Sequence, residues 1–126
     1  MLWAKNMNKL NFALSLILLT LPVGAYADCY DAEALSADAY SYARRAYNSE
    51  DLDSCQAYAR RAMSAALDAE SEASYCSCYD AEALSSDAYS YARRAYNSED
   101  LDSCQTYARR ARNAASDAES EAAYCN

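Results

Sequence analysis

Cysteine, tyrosine and carboxylate are the side chains in this sequence that could do chemistry. Six cysteines stand at 29, 55, 76, 78, 104 and 125, and there is no histidine anywhere in the chain. An even cysteine count in an exported chain reads first as a disulfide framework, for which six cysteines allow 15 pairings. The competing chemistry is a thiolate metal site built around the C-x-C of Cys76-Ser77-Cys78. Zinc sites favour C-x₂-C spacing and often recruit histidine, so disulfides are the stronger reading. Acid–base catalysis is poorly provided for. Both lysines, Lys5 and Lys9, lie near the N-terminus, and the serines have no partner base. A carboxylate pair could serve as acid and base, but a thin helical bundle offers little pocket to shift its pKa values. The chain therefore reads as non-enzymatic and without a cofactor.

The pentapeptide YARRA recurs at 42–46, 58–62, 91–95 and 107–111. Paired arginines can mark phosphate or nucleic-acid binding. Here nine arginines face 19 acids in residues 28–126, a net charge of −10, which argues against a nucleic-acid partner. Ion pairs between neighbouring helices, Arg60 with Asp38 and Arg44 with Asp53, are the expected use of these arginines. Of the 12 tyrosines in this stretch, Tyr42 and Tyr91 fall on the apolar seam. Tyr40, Tyr47, Tyr89 and Tyr96 fall off it and are candidates for a contact face.

The first 27 residues have the three parts of a secretory signal peptide. Lys5 and Lys9 form the basic part, Leu10 to Leu21 the apolar run, and Ala25-Tyr26-Ala27 the cleavage motif. The run of 12 residues is shorter than the roughly 20 needed to span a bilayer. The expected location is secreted or periplasmic, with no membrane span after cleavage. The only Trp, Phe, Ile, Val, Gly and Pro all lie in this leader. The chain beyond the leader must build its core from Ala, Leu and Tyr, and the lack of Gly and Pro favours helix over strand. Alanine buries little area, so such a core is weak, and disulfides are the usual remedy in a domain this small.

Residues 29–77 align with 78–126 without a gap, identical at 42 of 49 positions. The organisation is thus a leader (1–27) and two repeats (28–77 and 78–126), each one supersecondary unit. Asp31 can cap a first helix whose seam is Ala32, Leu35, Ala39, Tyr42, Ala46. Asn48 can close it in a left-handed conformation and Ser49 can cap the next helix, which places turns at 48–50 and 97–99. The second helix carries Leu52, Cys55, Ala59, Ala62, Ala66, Ala69, Ala73 and Cys76 on its seam. The short turn makes the two antiparallel neighbours. The apolar stripe slips by one residue at Cys76-Ser77-Cys78, which predicts a break there and four helices rather than three. The expected fold is all-α, two tandem antiparallel hairpins stapled by disulfides. Met63 and Leu67 become Arg112 and Ser116 in the second repeat, as expected if the first unit's outer face meets a neighbour and the second unit's faces water.

In antiparallel hairpins Cys29, Cys76, Cys78 and Cys125 all come to one end. The expected pairs are Cys29–Cys76 and Cys78–Cys125 within units, with Cys55 and Cys104, near the turns, as a third pair between them. The acids crowd the same end: Asp31, Glu33, Asp68, Glu70 and Glu72 in one repeat, and Asp80, Glu82, Asp117, Glu119 and Glu121 in the other. Such a pole is either a solvated face or a receptor for a divalent cation or a basic partner surface.

The motifs Tyr42-Ala43-x-x-Ala46 and Leu52-x-x-Cys55-x-x-x-Ala59-x-x-Ala62 resemble the exported helical repeats of the tetratricopeptide and Sel1-like type, over about 20 residues per unit. The period of 49 residues is longer than the family's roughly 34. The resemblance implies a protein-interaction scaffold with no chemistry of its own. The leading expectation is a small exported interaction or structural module. The alternative is an exported cation- or metal-binding protein using the acidic, cysteine-rich end.

Overall fold

Alanine-rich stretches without glycine or proline propagate helix well, and the breaks fall where short polar residues compete for the backbone. The computed structural model describes residues 29–126, which form four helices: α1 Tyr30–Tyr47, α2 Leu52–Tyr75, α3 Tyr79–Tyr96 and α4 Leu101–Tyr124. They run up, down, up, down. Each helix packs along two neighbours, and α4 returns to lie on α1, so the two hairpins close into a four-membered ring. Across the axis α2 approaches α4 more extensively than α1 approaches α3. No strand occurs among the described residues, and none of the described helices is long and apolar enough to cross a membrane. The leader of residues 1–27 and its cleavage motif lie outside the described residues.

The core consists of alanine, cysteine and serine, arranged in layers along the axis. One layer holds a single alanine from each helix: Ala43, Ala62, Ala92 and Ala111. The layer at the turns joins Ala46, Cys55, Ala59, Ala95, Cys104 and Ala108. The layer at the opposite end joins Cys29, Ala32, Ala73, Cys78, Ala81 and Ala122. In α2 the buried set is the expected seam from Cys55 to Ala73 with Ala65 added, while its two ends, Leu52 and Cys76, are only half-buried. In α1 it is Ala32, Ser36, Ala39, Ala43 and Ala46. Leu35 and Tyr42, expected on that seam, are only half-buried. The space between four close helices admits only small side chains, so the larger ones lie over the grooves between neighbouring helices. Ser36 and Ser85 are buried at equivalent positions, and neither hydroxyl has a hydrogen-bond partner.

The three disulfides are Cys29–Cys76, Cys78–Cys125 and Cys55–Cys104, as expected from the hairpin geometry, and no described cysteine is free. The first two tie the ends of each hairpin, and the third joins α2 to α4 across the axis.

The helix ends differ from their expected forms. α1 starts at Tyr30, with Cys29 as its N-cap, and Asp31 sits inside the first turn. Asn48 closes α1 at φ −88°, not in the left-handed region. The Ser49 hydroxyl faces backwards and donates to the Arg45 carbonyl at 2.8 Å. Asp51 is the cap of α2: its carboxylate accepts from the Ser54 N–H at 2.7 Å. Asp100 does the same for α4, from Ser103 at 2.8 Å. A carboxylate here satisfies an otherwise open N–H and also meets the positive end of the helix. The break at 76–78 is a Schellman closure. Ser77 has φ 62°, the Cys78 N–H donates to the Ala73 carbonyl at 2.9 Å, and the Ser77 N–H donates to the Ser74 carbonyl at 3.1 Å. This one residue outside the right-handed region ends α2 without glycine.

Two contacts lock the units together. Gln56 Nε2 donates to the Ser98 carbonyl at 2.7 Å, and Gln105 Nε2 donates to the Ser49 carbonyl at 2.8 Å. Each turn is thereby bonded to the other repeat. The second arginine of each first-repeat YARRA segment, not the Arg44 or Arg60 of the expected ion pairs, lies over a tyrosine ring. Arg45 lies over the Tyr58 ring and Arg61 over the Tyr42 ring, each 5.9 Å from the centroid. In the first repeat, two antiparallel copies of YARRA thus exchange arginine for ring. In the second repeat, Arg94 and Arg110 both lie over Tyr107, at 5.8 and 5.7 Å. Arg112 reaches the Tyr47 ring of the first repeat at 5.0 Å. The Met63/Leu67 expectation fails for a topological reason. A closed ring has no outer unit, so Met63 packs beside the four-alanine layer while Leu67 is 46% exposed.

Candidate functional site at the open pole

Four tyrosines stand where the helices meet the cysteines. Tyr30 follows Cys29, Tyr75 precedes Cys76, Tyr79 follows Cys78, and Tyr124 precedes Cys125. They are 63%, 79%, 71% and 85% exposed, the four most exposed large hydrophobic side chains among the described residues. They crown the end of the bundle away from the turns, here termed the open pole. Layered burial is the cause: the axis at that end is filled by Cys29, Cys78 and alanines, so the flanking rings are turned outward.

An open hollow of about 430 Å³ lies within this crown, lined by Ser77, Cys78, Tyr79, Asp80, Glu121, Tyr124 and Cys125. The Cys78–Cys125 disulfide forms part of its wall. Cys29 and Cys78 are each 2% exposed, Cys76 is half-buried and Cys125 is exposed. The Sγ atoms of Cys29, Cys78 and Cys125 all lie within 4.8 Å of one another, so the two disulfides of this pole are in near contact. It is the one place among the described residues where three groups of metal-ligating type converge, and all three sulfurs are spent in disulfides.

Where α4 meets α1, Asn126 completes the pole. Its Oδ1 accepts from the Cys29 N–H at 2.7 Å, and its Nδ2 donates to Glu33 Oε1 at 2.9 Å. Asn126 is the repeat counterpart of Ser77, which links α2 to α3 through the chain. The second junction is thus made by a side chain where the first is covalent.

The candidate acids divide by height along the bundle. Asp31, Glu33, Glu70, Glu72, Asp80, Glu82, Glu119 and Glu121 lie in the terminal turns of their helices and are exposed or half-buried. Asp68 is further in. It shares a groove of about 390 Å³ on the first hairpin with Leu35, Tyr42, Arg60 and Arg61. Asp117, its counterpart, lies with Leu84, Ser120 and Glu121 in another. From Ala62 to Ala92, and again after Arg112, the sequence has no basic residue, so the open pole has one sign of charge.

Of the tyrosines picked from the sequence, Tyr40 and Tyr89 are half-buried beside an alanine layer. Tyr47 is half-buried near the turns beneath Arg112. Tyr96 is 38% exposed. The four most exposed rings were missed because seam register separates only on-seam from off-seam positions. Their signal was adjacency: each is next to a cysteine that staples a helix end.

Comparison of the chain with protein-family models, with curated proteins and with solved structures gives no match.

Proposed function

We propose that this chain is a small exported interaction module, without catalytic chemistry, whose open pole binds a basic partner. The observation that carries the reading is the crown of four exposed tyrosines on a pole that carries acids and no base. A tyrosine face attracts a cation by about 0.5–1 kcal/mol at an exposed site. Flanking carboxylates add long-range attraction that steers a basic surface. Lysine and arginine side chains presented together would meet both. Three disulfides suit an oxidising compartment, in keeping with the leader read from the sequence. The stapled, small-residue core presents the pole on a rigid frame, which lowers the ordering cost of binding.

The test is a titration with fluorescein-labelled peptides of matched length, one rich in lysine and arginine, one rich in glutamate. The basic peptide should bind and lose affinity steeply between about 50 and 500 mM salt, as the screening length shortens. Replacing Tyr75 and Tyr124 with alanine should weaken binding about tenfold without changing the helical spectrum. Equal binding of the two peptides would end this reading. A melting temperature raised by millimolar calcium, beyond the effect of sodium at matched ionic strength, would transfer the pole to the cation-binding alternative.

A further inference from the structure

The two disulfides of the open pole touch, and the third is sealed. Cys55 and Cys104 are both 0% exposed. In the other two, one cysteine is buried and its partner is less so: Cys78 is buried and Cys125 exposed, Cys29 is buried and Cys76 half-buried. The buried sulfurs belong to the N-caps of α1 and α3. Neither sulfur caps its own helix; Cys78 Sγ lies 3.4 Å from the Glu121 carbonyl and Cys29 Sγ 3.8 Å from the Cys76 carbonyl, contacts that suit a released thiol as donor. The released Cys78 sulfur would also lie within 4.8 Å of the Cys29 sulfur of the neighbouring disulfide. The hollow beside Tyr79, Asp80, Glu121 and Tyr124 opens onto this wall.

We infer that the open pole is a thiol–disulfide exchange site in which two contiguous disulfides act as a relay. The external thiol that opens it is a cysteine-type thiol on a positively charged carrier, and the last step returns that thiol unchanged. An external thiolate attacks Cys125 Sγ, the Cys78–Cys125 bond breaks, and the electron pair leaves on Cys78. The Cys78 thiolate attacks Cys29 Sγ, a Cys29–Cys78 bond forms, and the pair passes to Cys76. The Cys76 thiolate then attacks Cys125 of the mixed disulfide, forms Cys76–Cys125, and expels the external thiolate. Two disulfides are broken and two are made, so no net oxidant or reductant is consumed. The within-repeat staples become between-repeat staples. The carrier is specified by charge. The Asp80 and Glu121 carboxylates beside the disulfide repel an anionic thiol and attract a cationic one.

A full-chain Cys76→Ser variant tests the relay, because it leaves three pole sulfurs on three separate tryptic peptides. Acid-quenched, alkylated protein should show the Cys29 peptide joined to that of Cys78 or Cys125 in at least about a tenth of molecules, with Cys55–Cys104 unchanged. A free thiol confined to Cys29 in helical protein overturns the proposal. If this variant does not fold, the wild-type chain decides. One equivalent of a phosphine, followed by alkylation, should yield the Cys29 peptide joined to the 62–93 peptide through Cys78, with the alkyl groups on Cys76 and Cys125 located by fragmentation; absence of that species overturns the relay. With wild-type protein, the cationic thiol cysteamine should form the Cys125 adduct at least fivefold faster than 2-mercaptoethanesulfonate at equal thiolate concentration and low salt. That gap should shrink in about 1 M salt. Equal rates at low salt overturn the assignment of a cationic carrier.

Discussion

At the turn pole, Cys55 and Cys104 are sealed in a layer of alanines, each turn is bonded to the other repeat by a glutamine, and arginines lie over tyrosine rings. At the open pole the disulfides reach the surface, the tyrosines face outward, and the acids have no basic neighbours in sequence. At the turn pole two glutamines bond across the repeats; at the open pole Asn126 does so by side-chain hydrogen bonds, to Cys29 and Glu33. Both ends carry Tyr, Cys and acids, but the arginines all lie away from the open pole. The rest of the difference comes from connectivity. Continuous turns of 48–51 and 97–100 close one end. The other is closed by one backbone link at Ser77 and one side chain, Asn126.

The largest way to break this contrast is to remove the staple of the turn pole. Replacing Cys55 and Cys104 with alanine should cost about 3–4 kcal/mol, the entropy of a loop spanning 49 residues returning to the unfolded chain. Urea denaturation measures it. Next in size is the opposite turn bond. Gln56→Ala leaves the Ser98 carbonyl without its donor and should cost about 1 kcal/mol, and Asp51→Ala should cost a similar amount through loss of the α2 cap. Both are read from the urea midpoint at constant slope. A change in the stabilising direction is expected between the poles: Ser36→Ala and Ser85→Ala each remove a buried hydroxyl without a partner and should add roughly 1 kcal/mol. The smallest effect belongs to the open pole. Tyr75→Ala and Tyr124→Ala should change stability by no more than about 0.5 kcal/mol, as for exposed positions without special contacts. A cost above about 1.5 kcal/mol at either tyrosine would show that the crown is structural and erase the contrast.

The helical class, the number of helices and the cysteine pairs could be read from the sequence because local rules carried them. The 3.6-residue spacing of alanines identified the α2 seam, and an antiparallel hairpin of unequal helices placed Cys29 beside Cys76. Eight of the ten acids fall in the terminal turns for the same reason, since helix register sets their height, while Asp68 and Asp117 lie further in. The α1 seam was misjudged because apolarity was taken to mean burial. Leu35 and Tyr42 are apolar enough for a core, but the space between four close helices has no room for them. The caps were misjudged because Ser49 and Asp51 are both good cap residues, and only the path of the turn selects between them.

The amino-acid sequence by itself determined that this chain is a duplicated helical hairpin, acidic, alanine-cored and disulfide-stapled, since repeat, propensity and cysteine spacing are properties of near neighbours along the chain. Only the tertiary structure decided that α4 returns to α1. That closure produces the exposed tyrosine crown, the Asn126 junction, the glutamine cross-bonds and the contact of two disulfides. These features join residues from 42 to 97 positions apart, and separations of that length are set by how four helices share one axis rather than by any local pattern.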